Sequence, residues 1–120
     1  MSEIGSFHWT ELQTTDAEAA KSFYTKLFGW NTEPFGEGMD YTILMNGRRG
    51  FGGIMKAPMP GTPPRWISYV HVKDVDAILA KLKELGGKVC APPFDIPGVG
   101  RIAMVQDPQG ASFAVHAPRP

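Results

Sequence analysis

Two stretches decide the fold when read side by side: Thr15 to Gly29, TDAEAAKSFYTKLFG, and Asp74 to Gly87, DVDAILAKLKELGG. In the first, apolar residues at Ala20, Phe23, Tyr24, Leu27 and Phe28 follow helical spacing. Thr15 and Glu18 have the spacing of a capping box, with Thr15 as cap, and Gly29 stands where a left-handed C-terminal cap belongs. In the second, Asp74 is the expected N-cap, Ile78, Leu79, Leu82 and Leu85 form the apolar stripe, and Gly86 and Gly87 end the helix. Asp74 lies 58 residues after Asp16, and the same offset sets Ala77 on Ala19, Leu85 on Leu27 and Gly87 on Gly29. The chain repeats itself.

Outward from the helices, Gly5 to Thr14 has strand character. Trp30 to Pro34, Tyr41 to Met45 and Phe51 to Lys56 follow as strands, separated by turns at Gly36 to Gly38 and Asn46 to Gly50. Four prolines make Ala57 to Arg65, APMPGTPPR, a stiff extended connector. Beyond it Trp66 to Val72 reads as a strand and Val75 to Leu85 as a helix. Lys88 to Ala91, Arg101 to Val105 and Ala111 to His116 are further strands, with a loop at Pro92 to Gly100. In these later strands the offset becomes 60, pairing Met45 with Val105, Gly50 with Gly110, Ile54 with Ala114 and Met55 with Val115. The reading is one domain over residues 1–120, built from a strand-helix-strand-strand-strand module at about 5–57, the connector at 57–65, and a second module at about 66–118.

Composition narrows the function. With 42% hydrophobic and 20% charged residues the 120-residue chain is an ordinary globular sequence. Twelve basic residues balance twelve acidic ones, so the field that draws proteins to nucleic acid or anionic lipid is missing, and neither is expected as a partner. A small-molecule ligand is expected instead. The single Cys90 has no disulfide or zinc partner and reads as a small buried apolar residue in a reducing compartment. No apolar run spans a bilayer and MSEIGSFHW lacks a secretory pattern, so a cytoplasmic location is expected. GFGG at Gly50 to Gly53 precedes no helix, so it is no phosphate loop, and there is no GxSxG elbow.

Strand parity separates two faces, because residues two apart share a side. Thr10, Leu12 and Thr14, like Ser68, Val70 and Val72, suit packing under a helix. The other face carries Trp9, Glu11 and Gln13 in the first half and Ile67, Tyr69 and His71 in the second, the aromatic and polar mixture that a ligand surface needs.

The runs WTELQTTDAEAAKSFYTKLFGW, WISYVHVKDVDAILAKLKELGGKV and VQDPQGASFAVHAP resemble the vicinal oxygen chelate superfamily of glyoxalases, bleomycin-resistance proteins and extradiol dioxygenases. The likeness covers nearly the whole chain. It implies an α+β fold in which two tandem βαβββ modules form a curved eight-stranded mixed sheet around a cleft, helices outside. It also implies that metal-ligating positions, where the family uses His or Glu, fall on Trp9, Ile54, Ile67 and Ala114. None of these side chains coordinates a divalent ion. His8 lies one residue before the first such position and points, by parity, to the other face.

The first expectation is therefore a metal-free, cofactor-free binding or sequestering domain. Trp9, Ile67 and Tyr69 supply the walls, with Ile54 and Ala114 beside them, and Glu11, Gln13, Lys56, His71 and His116 the orienting polar groups. The alternative is a lyase, isomerase or dioxygenase of the same superfamily. There Glu11 or His71 would act as general base, or Glu11, His71 and His116 would hold a divalent metal ion at a displaced site. A third class is a structural role through self-association, since single-chain relatives commonly form homodimers.

Overall fold

The computed structural model describes residues 3–36, 40–57, 60–97 and 99–118. Its elements are β1 (Phe7–Thr14), α1 (Ala17–Phe28), β2 (Asn31–Pro34), β3 (Tyr41–Asn46), β4 (Arg49–Lys56), β5 (Arg65–His71), α2 (Val75–Glu84), β6 (Lys88–Ile96), β7 (Gly100–Gln106) and β8 (Ser112–Pro118). The order βαβββ occurs twice, and the class is α+β with mixed strand pairing. Two compact units divide the chain: residues 9–67, and residues 3–8 with 68–118.

In the first unit the strand order is β2-β3-β4-β1. β1 runs parallel to β4, and the other pairs are antiparallel. Leu12 lies beside Ile54, and Leu44 beside Gly52. Leu12, Leu44 and Ile54 form the buried core, covered by Ala17, Ala20 and Tyr24 of α1 with Trp30 and Phe51. Gly52 must be glycine, since a Cβ there would collide with the Thr10 carbonyl oxygen. Because α1 seats itself through Ala17, Ala20 and Tyr24, the expected stripe residues Phe23, Leu27 and Phe28 fall to its flank and are exposed.

The N-cap of α1 is Asp16, not Thr15. Its extended backbone lets the carboxylate accept from the Ala19 N–H at 3.0 Å, and its charge suits the positive end of the helix. Gly29 closes the helix in the left-handed region, φ 75°, donating to Thr25 O at 2.9 Å. Asp74 caps α2 as expected, accepting from Ala77 N at 3.1 Å.

The second unit repeats the plan in the order β5-β8-β7-β6, with β5 parallel to β8. Val72, Val75, Leu79, Ala103, Val105 and Val115 are its buried core. Arg101 on β7 bridges Asp76 in the first turn of α2 and Asp95 on β6, at 3.0 and 3.2 Å. β6 runs on to Ile96, through the segment expected to be a loop. It is the end strand of the unit's order, and register shifts on either side of Ala91 absorb Pro92 and Pro93, which lack an N–H for the ladder. Cys90 on this strand is exposed, not buried as expected. Parts of the turn at Gly36 to Gly38, of the connector and of the loop expected at Pro92 to Gly100 lie outside the described residues. Among the described residues no helix is long and apolar enough to cross a membrane.

The cap assignment makes a sharp prediction. Asp16→Ala should cost about 1 kcal/mol in urea unfolding, whereas Thr15→Ala should stay within about 0.5 kcal/mol of the parent. The reverse ranking would restore Thr15 as the cap.

Candidate functional site

On the face of the first unit's sheet turned away from α1, Glu11 and Gln13 of β1 lie beside Gly53 and Met55 of β4, and Tyr41 of β3 lies beside Met55. Glu11 and Gln13 are almost fully buried, 4% and 1% exposed. Gly53 makes the arrangement possible: a Cβ there would collide with the Tyr41 ring, which occupies that space. Phe35 meets Tyr41 edge to face at 5.9 Å.

The hydrogen bonds have a fixed direction. The Trp9 indole N–H, which can only donate, gives to Tyr41 Oη at 2.9 Å, so the phenol turns its own hydrogen to Glu11, with which it also bonds. From the other side the Arg65 Nε–H gives to Gln13 Oε1 at 3.2 Å, which orients the amide so that Gln13 Nε2 donates to Glu11 Oε2 at 2.9 Å. Both arms begin on groups that can only donate, and both end on Glu11. Burial, and then the charge of Glu11, push the Tyr41 phenol well above its ordinary range, so it stays a neutral donor.

Of the expected site residues, Trp9, Glu11 and Gln13 come together here. Ile54 does not: as the register partner of Leu12 it belongs to the core under α1. Lys56 lies beside Thr14 with Ile54's parity, off the Glu11 face and exposed. Both misplacements have one cause. In the second unit Val70, the counterpart of Leu12, pairs with Val115 rather than Ala114. The offset on the last strand of each module is therefore 115 minus 54, or 61, and Ala114 matches Gly53. A one-residue slip exchanges the faces of a strand. Tyr41 and Arg65 were missed; the available signal was Gly52-Gly53 within a strand, which marks close approach of another group.

In the second unit Tyr69 pairs with Ala114 and His71 with His116, so these four residues share a face. Tyr69 and Ala114 are buried, as is Ile67 at the end of the first unit. His8 does not point away, as parity alone suggests. Backbone bonds from Gly5 N to His71 O at 2.7 Å and from His71 N to Ser6 O at 2.9 Å fix the start of β1, and the His8 ring stacks on His71 at 4.9 Å. His116 Nε2 donates to the Val99 carbonyl at 2.8 Å, which leaves Nδ1 to accept from His8 Nε2 at 2.9 Å. Burial, then His116 and His71, lower the His8 pKa to about 4.

Trp9, Ile67 and Ala114 carry no metal-ligating atom, Ile54 is core, and Gly53, its corrected counterpart, has no side chain. These positions do not fit a divalent ion. Among the described residues no group of three or more His, Cys, Asp or Glu is arranged to hold one.

The family model for the Glyoxalase/Bleomycin resistance protein/Dioxygenase superfamily matches residues 6–115. A Mycobacterium tuberculosis protein with the provisional name glyoxylase CFP32 is 42% identical over 122 residues, covering 100% of this chain and 47% of the relative. The anthracycline biosynthesis protein DnrV of Streptomyces peucetius is 30% identical over 129 residues, 92% of this chain and 46% of the relative. The chain thus spans about half the length of these curated relatives. Among solved structures, the Mn(II)-bound glyoxalase of Novosphingobium aromaticivorans has a TM-score of 0.66 at 22% identity, over 98% of this chain and 40% of that one. Methylmalonyl-CoA epimerase of M. tuberculosis has a TM-score of 0.67 at 14% identity, over 98% and 90%. These two likenesses show the fold.

The histidine cluster predicts acid sensitivity. His8 has an ordinary pKa of 6.5 when unfolded and about 4 when folded, so its contribution is complete above 6.5 and is lost as pH falls toward 4. Urea midpoints at pH 7 and pH 5 should show a smaller acid-induced drop for His8→Gln than for the parent; equal drops would remove His8 as a source.

Proposed function

We propose, from the premise that this chain belongs to the Glyoxalase/Bleomycin resistance protein/Dioxygenase superfamily, that it binds a small molecule on the Glu11 face of the first unit and holds it without a metal. The observation that carries this reading is the pair of one-way hydrogen-bond arms that end on buried Glu11 beside the rings of Trp9 and Tyr41. A buried acceptor costs stability unless it is well supplied with donors, and a site of aromatic walls with a few directed polar groups is how proteins orient small ligands. A flat, partly apolar ligand suits those rings and accords with the relative named for anthracycline biosynthesis.

A second reading, a lyase, isomerase or dioxygenase, is favoured by the same fixed direction. Glu11 is set to accept and would serve as the base of a proton transfer, with Tyr41 as a neutral donor. His71, in its stacked histidine cluster, is the weaker base candidate. In either case we place the protein in the cytoplasm, with no nucleic acid or membrane as partner. A homodimer is part of the proposal, supported by the exposed apolar residues Phe23, Leu27, Phe28 and Trp66.

Affinity capture of small molecules from an extract, followed by mass spectrometry and by metal analysis of the same sample, tests the reading. The parent should enrich a compound that Glu11→Ala binds about 5 to 150 times more weakly, matching the roughly 1 to 3 kcal/mol of a lost hydrogen bond to a charged group. Because Gln13 Nε2 and the Tyr41 hydroxyl lose their buried acceptor, the variant's melting temperature should fall, and binding is compared at a temperature where both proteins are folded. Retention of the compound by Glu11→Ala, or its loss from the parent when a chelator removes a stoichiometric metal, would overturn it.

A further inference from the structure

The second unit carries another concavity, on the opposite side of its sheet from Tyr69, His71 and His116. α2 packs on β6, β7 and β8, while β5 is the end strand of this unit. The helix therefore leaves this face of β5 uncovered, and Arg101 holds its first turn to β6 and β7. The result is a groove of about 400 Å³, within the range of small-molecule sites. Val70 of β5 and Val72 just beyond its end, with Phe113 and Val115 of β8, make its floor. Ala77 and Ile78 of α2 form one wall. Ile4 and Gly5 form the other, held by the Gly5 N–H to His71 O bond.

The mouth differs from the floor. Lys73 stands there exposed, in no ion pair among the described residues. Next to it begins α2, whose positive end is already met by an anion of the chain itself. The carboxylate of Asp74, also at the mouth, is engaged as the helix cap by Ala77 N–H. With Asp74 taken up by the helix end, the trough ends at the Lys73 ammonium group, which matches a molecule with an apolar chain and one anionic head.

We propose that this groove binds a monocarboxylate with an aliphatic chain, the chain over Val70, Val72, Phe113 and Val115 and the carboxylate at Lys73. The site is separate from the Glu11 face and does not depend on the reading given for it.

Calorimetric titration of the full chain with decanoate, using decanol as the uncharged comparison, tests this. Decanoate should bind saturably at one per chain. Ala77→Trp, on the exposed side of α2, should plug the groove and abolish binding of both probes. Lys73→Glu should weaken decanoate about threefold or more while leaving decanol unchanged, as expected for loss and reversal of one exposed charge. Glu11→Ala should change neither, which keeps failure here distinct from failure of the proposed function. The proposal is overturned if decanoate does not saturate, if Ala77→Trp still binds it, if Lys73→Glu weakens both probes alike, or if Glu11→Ala removes binding. Sedimentation supplies a further arm: self-association abolished by Ala77→Trp would make a second copy of the chain the occupant and overturn the proposal.

Discussion

The parallel pairing of β1 with β4 sets both faces of the first unit at once. With Leu12 beside Ile54, the apolar side chains of both strands turn toward α1; with Glu11 beside Gly53, the next residue on each strand turns to the other face. Neither face can shift alone, because the side-chain period of a strand is two. The two adjacent glycines serve this one register from opposite sides. Gly52 lets the β1 backbone approach, and Gly53 leaves the space that the Tyr41 ring fills.

That register also explains how an acidic residue is tolerated inside. An unsupported carboxyl group so deeply buried would be strongly destabilising, and a hydrogen bond to a charged group returns roughly 1.5 to 3 kcal/mol. Here the support is directional. Gln13 could present either end of its amide, but Arg65 holds the oxygen end and so commits the nitrogen to Glu11. Tyr41 could point its hydrogen either way, but Trp9 occupies its oxygen as a donor. Two side chains with a choice are each fixed by one without.

Much of this was legible in the sequence. The helices, the Gly29 and Asp74 caps and the duplicated strand order follow from apolar spacing and an offset of 58, and parity alone put Trp9, Glu11 and Gln13 on a common face. Parity failed at His8, whose ring is set by backbone bonds around His71, and the loop expected from the prolines at Pro92 to Gly100 gave way to an end strand that absorbs Pro92-Pro93. The offset of 60 on the last strands is correct in kind and wrong by one. A single sequence does not show which partner each residue will have across a ladder, and a one-residue error sent Ile54 and Lys56 to the wrong face. Tyr41 was hidden for a related reason, since its importance comes from an empty space on a neighbouring strand.

Corrected for that residue, the repeat shows how one scaffold carries two chemistries. Glu11 corresponds to Tyr69, Gln13 to His71, Gly53 to Ala114 and Met55 to His116. The positions on the helix side of the sheet stay aliphatic in both copies, Leu12 and Ile54 against Val70 and Val115, because each packs into its unit's apolar core. The other face has no such restriction. In the first unit it holds an acceptor fed by donors, and in the second a cluster of imidazoles in which burial and the neighbouring rings keep His8 from charging. The smallest residue of each set, Gly53 or Ala114, recurs at the same register. In the first copy it makes room for the Tyr41 ring; in the second it lies beside Tyr69, whose ring meets His116 edge to face. The scaffold thus fixes where an aromatic ring can lie across the sheet, and the residues two places along decide what that ring is hydrogen-bonded or packed against.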